Sequence, residues 1–155
     1  MKRLGFEDGM IDPADARILQ ILNKNARIST AELARKIGLS APSVAERMKR
    51  LEEAGIIEGY HTRINLAALG LHFTAWLRIR PVPGELTRVA DILRSLPEIV
   101  ECDRVTGEDC FVARAQLRSV AELERLIDRI IPFAMTNTAI VQSSPVERRL
   151  PPIFP

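Results

Sequence analysis

Residues 29–55 read STAELARKIGLSAPSVAERMKRLEEAG, and the way this run folds decides the first half of the chain. Ser29 followed by Glu32 is a capping box, in which hydroxyl and carboxylate each satisfy an amide that the first helical turn leaves without a partner. The helix it opens places Leu33, Ala34 and Ile37 on one face. Gly38 should end it, because a residue without Cβ takes the left-handed conformation that closes a helix. Leu39 then bridges to Ser40, a second N-cap, and Pro42 falls in the first turn, where its missing N–H is harmless. The helix so started should extend to Ala54 and end at Gly55. Two short helices joined by Gly38-Leu39-Ser40 predict a helix-turn-helix over roughly Ser29 to Ala54. Ala34 lets the helices cross closely, Gly38 supplies the turn and Val44 packs back from the second helix.

The second of these helices has two unlike sides. Val44, Met48 and Leu51 recur at core spacing, which leaves Ser43, Arg47 and Arg50 as a stripe on an outer side. Arginine binds a phosphate or forks onto guanine O6 and N7 in the major groove, so the stripe has the chemistry of a recognition helix. The opening turns of the two helices, Ser29-Thr30 and Ser40-Ala41-Pro42, lie where helix N-termini favour phosphate oxygens. Charge alone would not carry this reading. Arg47, Lys49 and Arg50, balanced by Glu46, Glu52 and Glu53, also describe an ordinary solvated face. The A-x3-G-x5-V packing against a capped partner tips the balance, because a plain surface helix has no need of it.

Upstream, Asp12-Pro13-Ala14-Asp15 combines a capping aspartate, a proline in the first helical position and an acid that favours the helix dipole. The helix it opens runs to about Asn25, with Ala14, Ile18, Ile21 and Leu22 on one apolar face. Residues 1–10 lack periodicity and are expected to be a loose tail. Past Gly55, Ile56 to Ile64 reads as an extended or hairpin segment, and Asn65 to Gly70 as a link.

Beyond Gly70 the pattern changes. Phe73, Ala75, Leu77 and Ile79 alternate with His72, Thr74, Trp76, Arg78 and Arg80, the period of a strand with two unlike faces. A helix follows over Leu86 to Leu96, closed by Pro97. Two strands, Val100–Thr106 and Cys110–Leu117, are joined by a tight turn through Gly107. A helix capped by Ser119 carries Val120, Leu123, Leu126, Ile127 and Ile130 to Pro132, and a last strand spans Asn137–Gln142. The order βαββαβ is the ferredoxin-like split arrangement, with both helices on one face of an antiparallel sheet. The other face, with Thr74 and Trp76 among charged neighbours, is too apolar to be wholly solvated and predicts pairing with another subunit. The expected fold class is α+β, an N-terminal winged helix-turn-helix followed by a ferredoxin-like domain. The expected domains are 11–70 and 71–145, with an extended Pro-rich tail over 146–155 in which Ile153 and Phe154 are expected to dock.

Bulk properties narrow the function classes. The chain has 155 residues, 46% hydrophobic and 27% charged, and a formal charge of +2, which suits an ordinary soluble protein and permits nucleic-acid binding without requiring it. It shows neither an apolar run of the roughly 20 residues that span a bilayer nor a signal peptide, so a cytoplasmic protein with no membrane partner is expected. The two cysteines, Cys102 and Cys110, lack metal spacing and are read as buried free thiols. The two histidines, His61 and His72, have no partner suited to acid–base work and are read as surface or interface residues. No catalytic residues, metal site or cofactor are expected.

The run IDPADARILQILNKNARISTAELARKIGLSAPSVAERMKRLEEAGIIEGYHTRIN resembles the DNA-binding half of the leucine-responsive regulator and asparagine-regulator family of transcription factors. The βαββαβ order and the turn Val105-Thr106-Gly107-Glu108-Asp109-Cys110-Phe111 resemble that family's effector domain, so the likeness covers about 11–145. It implies a regulator that binds double-stranded DNA as a homodimer or higher homo-oligomer, paired through open sheet faces. It also implies a small effector, commonly an amino acid, between subunits, with Gly107, Glu108, Asp109 and Cys110 lining the pocket. A tight turn offers N–H groups to a carboxylate, and nearby acids suit an ammonium. Cys110 is a departure, since family members that bind amino acids often carry aspartate there. Siroheme decarboxylases are similar in overall plan and supply the rival reading, an enzyme. A third reading is a sensing module with a vestigial helix-turn-helix, whose stripe would lack the cations that Arg47 and Arg50 provide.

Overall fold

The computed structural model describes residues 11–153. The expectation of a loose tail over 1–10 and the docking expected of Phe154 fall outside them. The chain divides into two compact units, formed among the described residues by 11–63 with 148–153 and by 64–147.

The first unit is built on α1 (Pro13–Lys24), α2 (Thr30–Ile37) and α3 (Ala41–Glu53). Each begins on a side-chain cap: Asp12 accepts from the Asp15 amide, Ser29 from that of Glu32 and Ser40 from that of Ser43. Gly38 closes α2 at φ 77°. Ile18, Leu22, Leu33, Ala34, Ile37, Val44 and Leu51 form the core, with Ile21 and Met48 packed at its edge. The expected capping box at Ser29 and Glu32 is half made. The serine accepts at 3.2 Å, while the Glu32 carboxylate lies 3.8 Å from Lys36, one turn on, an opposite charge the exposed helix face offers it. After Gly55 the chain runs to residue 65 without strand structure, so the hairpin alternative for Ile56–Ile64 is not formed. Only Ile56 and Ile57 of that segment pack on the core, which leaves no second apolar side for a pair of strands to bury.

The second unit opens with a short 3-10 turn, Ala67–Leu69, that ends on Gly70. This link belongs to the second unit because Arg118 donates to the Leu69 carbonyl and Gln116 to that of Leu71. Strand β1 (Phe73–Pro81), helix α4 (Leu86–Ser95), strands β2 (Ile99–Arg104) and β3 (Phe111–Leu117), helix α5 (Val120–Ile130) and strand β4 (Ala134–Ile140) follow in the expected order. They make a four-stranded sheet ordered β2-β3-β1-β4, with every neighbour antiparallel. Ala75, Leu77 and Ile79 meet Val89, Leu93, Leu96, Leu123, Leu126 and Ile130 of the helical layer in the core.

Some boundaries and faces depart from expectation. β4 starts at Ala134 rather than Asn137, because its ladder with β1 reaches back to the Pro81–Ala134 pair, two residues after Pro132. Val120, expected on the apolar face of α5, is 46% exposed in that helix's first turn. Cys102 is not a buried thiol: β2 is an edge strand and the residue is exposed there, whereas Cys110 is half-buried, and both are free.

Candidate nucleic-acid interface and effector turn

Helix α3 carries the sequence-predicted stripe, and a depression of about 460 Å³ on its outer side is lined by Ser43, Glu46, Arg47, Lys49, Arg50 and Glu53. Ser43 and Arg47 are half-buried and Arg50 is exposed. Ser29, Thr30, Ser40, Ala41 and Pro42 lie at the starts of α2 and α3, where Ser29 and Ser40 each cap an amide and the remaining first-turn N–H groups are free of helical partners.

The two arginines are not loose cations. Arg47 Nη1 donates to Asp12 Oδ2 at 2.5 Å and to Asp15 Oδ1 at 2.9 Å, and Arg50 Nη2 donates to Asp15 Oδ2 at 2.7 Å. Asp15 has no exposed surface. The two acids are themselves joined in a reciprocal capping box, each carboxylate accepting the other's amide at 2.8 and 3.2 Å. The Asp12 carboxyl is held below the usual carboxylate range, first by the Asp15 amide and then by the Arg47 guanidinium. Sequence reasoning read Asp12 and Asp15 only as helix-opening residues. Their second role depends on α1 placing its first turn beside α3, which no local pattern announces.

Past α3, Tyr60 donates its hydroxyl to Glu52 Oε1 at 2.7 Å, which ties the extended segment back to the helix. His61 and His72 are both exposed, and among the described residues no group of acidic, histidine and cysteine side chains has the arrangement of a metal site.

In the second unit the turn between β2 and β3 brings Gly107, Glu108, Asp109 and Cys110 together. Val105 donates to the Cys110 carbonyl at 3.0 Å, and Gly107 adopts φ 104° with open space where a Cβ would be. Both acids already have partners. Arg78 donates through Nε to Asp109 Oδ2 at 2.7 Å, with its Nη2 2.6 Å from the same oxygen, and Arg80 pairs with Glu108. These arginines stand on the sheet face away from the helices, beside Trp76, which is 40% exposed and lies under Arg114 of β3.

A family model described as winged helix-turn-helix DNA-binding matches residues 11–58, and one described as the Lrp/AsnC ligand binding domain matches residues 74–151. The chain belongs to the Lrp/AsnC family of transcriptional regulators. The HTH-type transcriptional regulator Ptr1 of Methanocaldococcus jannaschii is 40% identical over 83% of this chain and 87% of its own. The LrpC structure of Bacillus subtilis superimposes with a TM-score of 0.85 at 31% identity, covering 90% of this chain and 100% of that one. The feast or famine regulatory protein of Mycobacterium tuberculosis, solved with L-methionine, superimposes with a TM-score of 0.81 at 30% identity over 90% of this chain and 97% of its own. The relatives are named as transcriptional regulators rather than enzymes, and among the described residues no helix is long and apolar enough to cross a membrane.

Proposed function

We propose that this Lrp/AsnC regulator binds specific double-stranded DNA sites as a homodimer or larger homo-oligomer and is modulated by a small, amino-acid-like effector held between subunits. The observation that carries the reading is the capped α2–Gly38–α3 unit with Ser43, Arg47 and Arg50 on its outer side. Such a helix enters the major groove while the free N–H groups after Ser29 and Ser40 meet the backbone, with Thr30, Ala41 and Pro42 in the same first turns. Arg50, the more exposed arginine, is the stronger candidate for direct contact.

Dimerisation is assigned to the open sheet face, where Trp76 and Met135 expose apolar surface among Arg78, Arg80 and Arg114. The effector is assigned to the Gly107–Cys110 turn. The M. tuberculosis relative with L-methionine supports an amino acid as its class. Because Glu108 and Asp109 are already neutralised by arginines, the turn suits a carboxylate directed at backbone N–H groups better than an ammonium alone.

A mobility-shift assay against the DNA upstream of the chain's own gene and its neighbours tests the regulator. Salt-sensitive, sequence-selective binding is expected, and its absence contradicts the proposal. For the effector, calorimetry with a panel of amino acids should show binding that Gly107→Trp abolishes. Retained binding by that variant places the pocket elsewhere.

A further inference from the structure

A carboxylate with no exposed surface is expensive unless it is paired and hydrogen-bonded, and Asp15 is fully paired. Its oxygens take the Arg47 guanidinium, the Arg50 guanidinium and the Asp12 amide. Capping alone would need no more than the reciprocal Asp12–Asp15 amide bonds. The arginines therefore do something beyond closing the helix end, and they come from one side of α3, three positions apart.

The two are held differently. The Arg47 side chain is 25% exposed, and one of its nitrogens is shared between two acids. Arg50 is 58% exposed and, among the described residues, spends one nitrogen on Asp15, so the other donors of its fork remain for a further partner. With Asp12 and Asp15 opposing Arg47 and Arg50, formal charge cancels within the cluster.

We propose that Asp15 is a specificity-determining positioning residue, which fixes Arg47 as a strut, aims the free donors of Arg50 and keeps both cations from gripping phosphate indiscriminately. The inference rests on the reading of α3 as the DNA-contacting helix. A fixed guanidinium loses little rotamer freedom when it meets a base edge, so selective contact is favoured. Cancelled charge releases few counterions from DNA, so sequence-independent contact is held down. Both effects raise the ratio of selective to non-selective binding.

The test uses the full chain and two duplexes, one selected by the wild type from a random library and one scrambled. Dissociation constants are measured by fluorescence anisotropy across a range of salt concentrations. Asp15→Asn keeps the shape and removes the charge. It is expected to bind the scrambled duplex several-fold more tightly, to steepen the salt dependence by about 0.9 per phosphate newly neutralised, and to lower the selected-to-scrambled ratio at least about tenfold. Loss of affinity for both duplexes alike, or an unchanged ratio in a folded variant, overturns the proposal. If circular dichroism shows Asp15→Asn unfolded, Asp12→Asn replaces it. Asparagine preserves the N-cap while removing one of Arg47's two charged partners, so the ratio should fall in the same direction by less, and an unchanged ratio is again fatal. A wild type that selects no duplex removes the DNA reading itself, a failure distinguishable from that of Asp15 alone.

Discussion

At the scale of single residues, the side chains around α3 are more tightly partnered than their types announce. Tyr60 is the chain's only tyrosine and reports on one such contact directly. Its hydroxyl is pushed up to about 12, first by burial of the group and then by its hydrogen bond to the Glu52 carboxylate. The folded state therefore holds the proton more tightly than the unfolded chain, whose phenol titrates near 10. The stability this contact contributes is complete below pH 10 and is lost as pH rises towards 12. Ultraviolet titration of the phenolate should give a single transition near 12 in the wild type and a lower one in Glu52→Gln. Equal midpoints would mean that the carboxylate does not hold Tyr60. The sequence showed an acid and an aromatic eight positions apart across a helix end, a spacing with no local meaning. Asp15 is the sharper instance: an acid in a first turn reads as a dipole partner, and only the packing of α1 on α3 turns it into the anchor of two arginines.

At the scale of elements, the parts of the fold legible beforehand were those whose causes are local. Caps at Asp12, Ser29 and Ser40, the glycine stop at 38 and the alternation along β1 each act within a few residues, and each element stands where those signals put it. The segment after Gly55 and the start of β4 were less legible because partners fix them: a strand needs a neighbour, and β4 begins where β1 still offers one. The helix-turn-helix gives its own prediction. Gly38 sits at φ 77° with nothing within 4 Å of an added Cβ, so Gly38→Ala should cost only the left-handed backbone penalty, about 1–2 kcal/mol. Denaturant unfolding followed on the first unit's helices checks this. No loss would show that the turn relaxes into another conformation, whereas a much larger loss would mean that an alanine methyl collides with something.

At the scale of the whole molecule, the proposed regulation of DNA binding rests on the second unit, whose open sheet face and glycine turn are surfaces left over once the core is satisfied. The face carries the chain's only tryptophan, which makes assembly measurable without a label. On the proposed pairing through this face, Trp76 emission should move to longer wavelength on dilution. Trp76→Arg, followed by sedimentation because the fluorophore is gone, should be monomeric. A dimer that survives this substitution pairs through another surface. Monomers should also bind DNA weakly, because a two-fold protein gains its affinity from two half-sites at once.

Selective DNA recognition by α3, as proposed, is tested most directly by selection of bound duplexes from a fully random library by the full chain, followed by footprinting of the enriched sequence. The predicted result is a roughly palindromic site with half-sites about one helical turn, or a multiple of it, apart, whose enrichment is lost with Arg50→Ala. Failure of any sequence to enrich, or enrichment that survives Arg50→Ala undiminished, would contradict it.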